Sequence, residues 1–185
     1  SKRPAFDQVA QAMGGGMSIT GPDPQNMVRA GIPIGDLGGG MFGVMGILAA
    51  LYEREGSGVG QHVDISMLDC QISMLNYMAT MHFLSEEDPY PIGNSHFVHV
   101  PYNTFRCSDG SIVIAVITDN FWTNLKGVLN CAEFENTKYD TQPGRWEDRD
   151  MINARLNELL SFNSCAYWLA LFEAQRIPCA PVNTL

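Results

Sequence analysis

The segment from residue 41 to residue 54 most constrains the fold of this chain, because it is apolar on nearly every side. A surface helix shows one apolar stripe, whereas a helix that is apolar all round is buried. Glycines at residues 38–40 precede the segment, and a glycine-rich break follows at residues 56–58. We therefore predict a buried helix built on Phe42, Val44, Met45, Ile47, Leu48, Leu51 and Tyr52.

An alternating segment follows at residues 62–67, where apolar and polar side chains exchange with a period of two. This alternation predicts a strand, and residues 68–84 predict a second buried helix, rich in methionine. A helix, a glycine turn, a strand and a helix in series favour an α/β layered core. The charged, proline- and glycine-containing residues 86–94 indicate a domain boundary, which we place between residues 88 and 89.

The second half of the chain carries a hairpin pattern. Residues 103–106 and 111–116 flank the turn Ser108-Asp109-Gly110, which predicts two antiparallel strands. Asp119 or Asn120 is expected to cap the next helix. Two further helices are predicted at about residues 148–161 and 164–175.

Composition limits the classes of partner. The chain has 185 residues, of which 45% are hydrophobic and 17% charged, and a net charge of −9. The low charged fraction indicates that part of the surface is covered by something else. Lys and Arg form no stripe, which argues against nucleic acid and anionic membrane as partners. The longest apolar runs are interpreted as too short to span a bilayer.

The five cysteines are scattered and show no metal-ligand spacing. This pattern predicts reduced, mostly buried thiols, and a cytoplasmic or similarly reducing compartment. The chain opens on Ser1 without an initiator methionine and stops just after a turn signal at Leu185. Both ends are interpreted as cuts through a longer sequence.

The sharpest local feature is Asp36, which lies between Gly35 and Leu37 and just before the glycine triplet Gly38, Gly39 and Gly40. A carboxylate at a helix start accepts free backbone N–H groups and lies at the positive end of the helix dipole. Glycines let a ligand approach the main chain. The pattern is typical of a carboxylate nucleophile beside open N–H donors. The alternative is structural: Asp36 only caps the helix, and the glycines allow close packing.

Taken in order, several segments resemble the class III CoA-transferases, the CaiB/BaiF family that includes formyl-CoA transferase. The resemblance extends over nearly the whole chain. It is carried by residues 6–15, 17–21, 34–36, 46–51, 58–69, 101–105, 109–110 and 177–183.

The resemblance implies a function for Asp36. In this family the aspartate attacks an acyl-CoA thioester, and the reaction passes through a mixed anhydride and an aspartyl-CoA thioester. CoA thereby moves from the acyl-CoA to an acceptor carboxylic acid, without a permanently bound cofactor or a metal. Family members are interlocked homodimers with a large Rossmann-like domain and a small domain. We therefore expect residues 1–88 to form the end of the large α/β domain and residues 89–185 to form a small α+β domain.

Related α-methylacyl-CoA racemases carry a His-Asp step where this chain has Phe6 and Asp7. Phe6 cannot transfer a proton, so racemisation is disfavoured. By the same correspondence, Pro4, Ala5, Phe6 and Asp7 would lie along CoA, with Lys2 and Arg3 as the nearest basic residues. A third hypothesis is a non-catalytic remnant that acts as a scaffold.

Residues 95–100 replace the glycine-rich loop that covers the active site in formyl-CoA transferase, which argues for an acyl group other than formate or oxalate. His96 and His99 in this loop face the substrate under one interpretation and only pack the loop under another. The spacing of the two histidines also raises the possibility of a metal site, but no carboxylate or thiol lies at ligand spacing from them. We therefore expect no metal there.

Overall fold

The computed structural model describes residues 4–185, which divide into two compact units. The first unit extends to Gly93 and the second begins at Asn94. The sequence boundary between residues 88 and 89 lies five residues before this division.

The described part of the first unit, residues 4–93, contains helices joined by loops and no strand. Helices α1, α2 and α3 pack against one another. Ser66 caps α3 by accepting the N–H of Asp69, and Gly58 ends α2 in the left-handed conformation with φ 72°. The helices are α1 (Asp7–Met13), a 3₁₀ turn (Gly16–Ile19), α2 (Ile34–Ser57), α3 (Met67–Met74) and α4 (Tyr77–Ser85).

Helix α2 begins at Ile34, seven residues earlier than predicted, so the glycines at positions 38–40 lie inside the helix and not before it. Two of these glycines, Gly38 and Gly39, pack closely on methionine side chains of α3. A Cβ at Gly38 would lie 2.5 Å from Cε of Met74, and one at Gly39 would lie 3.3 Å from Cγ of Met67. The contacts therefore support the packing interpretation for Gly38 and Gly39, whereas a Cβ at Gly40 would meet nothing within 4 Å.

The prediction that this helix is buried is wrong for the described unit, because most of its apolar side chains are exposed. By length and composition α2 is also long and apolar enough to cross a membrane, which corrects the expectation that every apolar run is too short. One such helix is weak evidence for a membrane protein, since the core helix of a soluble protein meets the same criteria. The exposed side chains are Leu37, Met41, Val44, Met45, Ile47, Leu48, Leu51 and Tyr52.

The strand predicted at residues 62–67 is also wrong. Residues 60–66 form neither helix nor strand, and Met67 already begins α3. A strand needs a hydrogen-bonded neighbour, and residues 4–93 supply none. The helix predicted at residues 68–84 is divided in two at Asn76, whose φ of 51° interrupts the helical path.

The second unit contains a three-stranded antiparallel sheet in the order β1-β2-β3. Tyr102 pairs with Ala115 and Arg106 with Ser111, which confirms the predicted hairpin. The turn is closed by a hydrogen bond from the Cys107 N–H to the Gly110 carbonyl, 2.8 Å long. The strands are β1 (Tyr102–Arg106), β2 (Ser111–Ala115) and β3 (Cys179–Pro181).

Helices cover this sheet and form one apolar core with it. The two helices predicted near the end of the chain are confirmed. The helix before them begins at Asp119, and its cap is Thr118 and not Asp119 or Asn120, because the Thr118 hydroxyl accepts the Phe121 N–H. The helices are α5 (Asp119–Leu129), α6 (Gln142–Glu147), α7 (Arg149–Leu160) and α8 (Cys165–Ala174). The core includes the fully buried residues Phe105, Ile112, Ile114, Trp122, Leu125, Phe134, Ile152, Leu156, Leu160 and Phe172.

Candidate active site

Asp36 lies in the first turn of α2, and its side chain is exposed. The helix start places the positive end of the dipole next to this carboxylate. The position therefore combines access from solvent with a rigid backbone, as a carboxylate nucleophile requires.

The N–H groups of this first turn are already occupied. Ile34 donates to the Ile32 carbonyl at 2.8 Å, and Leu37 donates to the Pro33 carbonyl at 3.0 Å. The N–H groups of Gly35 and Asp36 both donate to Oδ1 of Asp7, at 2.7 and 3.3 Å. The cap of α2 is thus Asp7, which corrects the interpretation of Asp36 as the cap. It also corrects the expectation of open N–H donors beside Asp36.

Asp7 belongs to a longer hydrogen-bonded chain of side chains. Its second oxygen, Oδ2, accepts a 2.7 Å bond from Nε2 of Gln11. Gln11 is only 2% exposed, and its Oε1 accepts the N–H of Ala30 at 2.9 Å. The family resemblance placed Asp7 along CoA, and no motif singled out Gln11. A Gln four residues after an Asp on a helix was the available signal, because residues four apart share a face.

Asp36 borders an open apolar depression of about 790 Å³ on the surface of α2. Among the described residues 4–185, Asp36 is the only charged one in its lining. An apolar surface beside a carboxylate lowers the local dielectric and strengthens every charge interaction there. The other lining residues are Leu37, Gly40, Met41, Phe42, Val44, Met45 and Met74.

Gln71, in α3, is a second buried amide close to α2. Its Nε2 has no hydrogen-bond acceptor among residues 4–185 and would lie 3.9 Å from a Cβ at Gly38. A buried donor without a partner is costly, so water or a ligand that reached this point would stabilise it. No sequence motif marked Gln71.

The predicted CoA-contacting residues lie at the start of the described chain. Pro4, Ala5 and Phe6 are exposed, and Phe6 precedes α1 in an extended conformation with 81% of its surface accessible. Asp7 differs from them, since its carboxylate is engaged with α2. The basic residues Lys2 and Arg3 lie outside the described residues.

His96 and His99 belong to the second unit. Nδ1 of His96 accepts the N–H groups of Val98 at 3.0 Å and His99 at 3.2 Å, so the ring organises the turn as a neutral imidazole. Desolvation, and after it the neighbouring His99, lowers the pKa of His96 below its ordinary value. Its ring also lies 5.0 Å from that of Tyr102, centroid to centroid. These contacts support the loop-packing interpretation of His96.

Gln142 and Arg145, which were not predicted from the sequence, donate hydrogen bonds to backbone carbonyls of this loop. Nε2 of Gln142 contacts the Val98 carbonyl at 2.9 Å and Nδ1 of His99 at 3.3 Å. Arg145 is fully buried and donates to the Val100 carbonyl at 2.8 Å, and also to Gln142. Neither residue stands in a recognisable motif, so no sequence signal marked them.

An open apolar groove of about 440 Å³ lies beside the same loop. Its lining combines loop residues with α6, and the guanidinium of Arg149 lies 4.5 Å above the Trp146 ring. The lining residues are Phe97, Val98, Gln142, Pro143, Trp146 and Glu147.

Within residues 4–185, no group of three His, Cys, Asp or Glu side chains is placed to hold a metal ion. The five cysteines, all within the described range, are free thiols, and three of them are buried. Burial raises the pKa of the Cys107 thiol to about 12, with a smaller contribution from its neighbour Cys165.

Comparison with known proteins identifies the family. Residues 1–185 match the family described as CoA-transferase family III, and the chain belongs to this family of enzymes. The match confirms the resemblance drawn from the sequence motifs.

Two curated relatives share about a third of their aligned residues with the chain. It is 32% identical over 186 residues to a succinyl-CoA:glutarate CoA-transferase from Mus musculus, covering 100% of this chain and 43% of the relative. It is 34% identical over 181 residues to a succinyl-CoA:mesaconate CoA-transferase from Haloarcula marismortui, covering 98% and 45%. The chain therefore spans somewhat less than half the length of these relatives.

A solved structure of the same family supports the fold. The crystal structure of a CaiB/BaiF family protein from Brucella suis matches with a TM-score of 0.88 and 30% identity, over 99% of this chain and 49% of that one. The mixed helix and sheet composition agrees with the predicted fold class at this coarse level. The Rossmann-like arrangement stays a prediction.

Proposed function

We propose that the full-length protein containing this chain is a CoA-transferase and that Asp36 is its nucleophile. The observation that carries the proposal is the family match over the whole chain, joined to an exposed carboxylate held rigidly at the start of α2. A nucleophile that forms a covalent intermediate divides one difficult acyl transfer into easier steps.

The proposed reaction has four steps. The Asp36 carboxylate attacks the thioester carbonyl, which forms a mixed anhydride and releases CoA as a thiolate. The thiolate attacks the aspartyl carbonyl of the anhydride, which releases the donor acid and leaves an aspartyl-CoA thioester. The acceptor carboxylate then attacks this thioester, giving a second anhydride and the thiolate. Attack of the thiolate on the acceptor carbonyl yields the new acyl-CoA and restores Asp36.

The tetrahedral intermediates of these steps carry negative charge on oxygen and need hydrogen-bond donors. The first-turn N–H groups of α2 are occupied by Asp7 and by two carbonyls. We therefore assign the oxyanion donors to groups other than this first turn. The apolar depression beside Asp36 would strengthen their effect once a bound substrate displaces water from it.

For substrates we propose succinyl-CoA as donor and a dicarboxylic acid as acceptor. Both curated relatives described above are named for succinyl-CoA, and glutarate and mesaconate are both dicarboxylates. CoA would run along Pro4, Ala5 and Phe6, since the Asp7 carboxylate is engaged elsewhere.

The assembly is proposed on the same basis. We propose a cytoplasmic homodimer of interlocked protomers, in which the first unit completes a large Rossmann-like domain and the second unit is the small domain. The exposed apolar face of α2 supports a larger domain, because such a face is costly in water.

A racemase remains the competing enzyme, and a non-catalytic scaffold the competing non-enzyme. Phe6 argues against the racemase because its side chain carries no proton to transfer. No feature of the described residues favours the scaffold over the transferase.

The test is chemical trapping in the full-length protein with succinyl-CoA and hydroxylamine, followed by peptide mapping. An activated aspartyl group is converted to a hydroxamate, so we expect this modification at Asp36. An Asp36→Asn variant should lose it together with CoA transfer. A folded protein that transfers CoA without modification at Asp36 would refute the nucleophile assignment. Exchange of the α-proton without transfer would favour the racemase.

A further inference from the structure

We infer that Asp7 and Gln11 are positioning residues for Asp36, an inference that rests on the proposed function. It replaces the expectation that Asp7 contacts CoA. The observation is the hydrogen-bonded chain that leads from the Ala30 N–H through Gln11 and Asp7 to the backbone of Asp36 itself.

The first link acts directly on the nucleophile. Oδ1 of Asp7 accepts the N–H groups of Gly35 and Asp36, which lie on the two sides of the Gly35 Cα. The orientation of the second peptide sets the direction in which the Asp36 side chain leaves the helix. A Cβ at Gly35 would lie 2.9 Å from Oδ1, so glycine is what lets the carboxylate approach the backbone.

The second link determines why position 7 carries a carboxylate and not an amide. The Gln11 amide has a fixed direction, because its Oε1 is engaged by the Ala30 N–H and its Nε2 is left to donate. Oδ2 of Asp7 must therefore be an acceptor. An asparagine at position 7 would set two NH₂ groups against each other, or would turn its acceptor away from α2.

Positioning can be separated from mere stability because other contacts hold α2 in place. The helix also packs on α1 and α3, with Gly38 against Met74. Loss of the Asp7 bonds should therefore loosen the first turn without unfolding the helix. A displacement of about 1 Å at a reacting group costs roughly 100-fold in rate, so the effect belongs in kcat and not in KM.

The experiment compares four variants of the full-length protein in CoA transfer from succinyl-CoA. D7N should lower kcat about 10- to 100-fold with little change in KM. Q11E should lower it too, because two carboxylates then face each other. The double variant D7N/Q11E reverses the hydrogen bond between positions 7 and 11 and keeps the bonds from the backbone N–H groups, so kcat should return to within about fivefold of the unchanged protein. S66A, which removes the cap of α3 in the same unit, should change kcat less than about twofold.

Three outcomes would overturn the inference. The first is a kcat for D7N no lower than that of S66A. The second is a raised KM for CoA thioester at constant kcat, which would return Asp7 to the CoA site. The third is a double variant no more active than its single parents. If D7N does not fold, Q11L is the deciding variant, because it keeps the Asp7 bonds to α2 and removes the amide that joins Asp7 to the Ala30 N–H. A kcat equal to that of S66A then counts against the inference.

The proposed function fails by a different route. If D36N keeps its activity, Asp36 is not the nucleophile, whatever the Asp7 variants do. If D36N is inactive and D7N is fully active, Asp36 stands and the positioning role of Asp7 falls.

Discussion

Replacement of Arg145 by methionine should destabilise the second unit by an amount that follows from its contacts. The guanidinium is fully buried and donates to the carbonyls of Val100 at 2.8 Å and Tyr139 at 2.7 Å. It also pairs with Asp119 at 2.8 Å, but the Asp119 side chain is 61% exposed. Methionine retains most of the apolar stem, so the change isolates the lost hydrogen bonds.

The two carbonyls lie in buried residues, and each unsatisfied group costs about 1–2 kcal/mol. The pair with Asp119 adds less than about 1 kcal/mol because solvent screens it. Burying a cation is itself costly, and the variant avoids that cost. We therefore expect a net loss of about 2–3 kcal/mol.

The assay is hydrogen exchange by mass spectrometry on peptides covering residues 98–106 and 139–148. A loss of 2–3 kcal/mol raises exchange through local opening about 30- to 160-fold. The matched control is R149M, since Arg149 is a partly exposed arginine that lies over Trp146 and pairs with the exposed Asp150. Its exchange should change less than about threefold. Equal effects of R145M and R149M would refute the reasoning that buried carbonyls make Arg145 important.

Two further predictions concern titratable groups. The lowered pKa of His96 means that the folded state binds its proton less readily than the unfolded state, so stability should fall as pH drops below the ordinary value of 6.5. The variant H96N keeps an acceptor for the Val98 and His99 N–H groups but does not titrate. Between pH 8 and pH 5, the peptides of its loop should lose less protection from hydrogen exchange than those of the unchanged protein. An identical pH dependence of the two proteins would contradict this prediction. The raised pKa of Cys107, about 12, leaves little thiolate at pH 8. Alkylation of Cys107 by iodoacetamide should therefore be roughly 1000-fold slower in the folded protein than in urea, measured by peptide mapping, and comparable rates would refute it.

Elements stabilised by neighbours in sequence were predictable from the chain. The hairpin is an example, because the turn Ser108-Asp109-Gly110 brings its own strands together and Cys107 closes it with Gly110. Helices α7 and α8 follow from local pattern in the same way. The family, and Asp36 as a candidate nucleophile, were also predictable from the sequence, because the family motifs occur in the expected order along the chain.

Features that depend on remote partners were not predictable. Helix α2 begins at Ile34 because Asp7, 28 residues before Gly35, accepts its first N–H groups. Residues 62–66 alternate like a strand, but a strand exists only where a second strand pairs with it, and residues 4–93 hold none.

Arg145 shows the same limit in the second unit. In the sequence Arg145 is one charged residue of the short helix α6. It is nevertheless fully buried, because the carbonyls of Val100 and Tyr139 accept its hydrogen bonds. The sequence by itself therefore determined the family, the local helices and the hairpin, since each depends on bonds between near neighbours. Tertiary structure alone decided which carboxylate caps α2 and which cation is buried, since hydrogen-bond partners far apart in sequence meet only after folding.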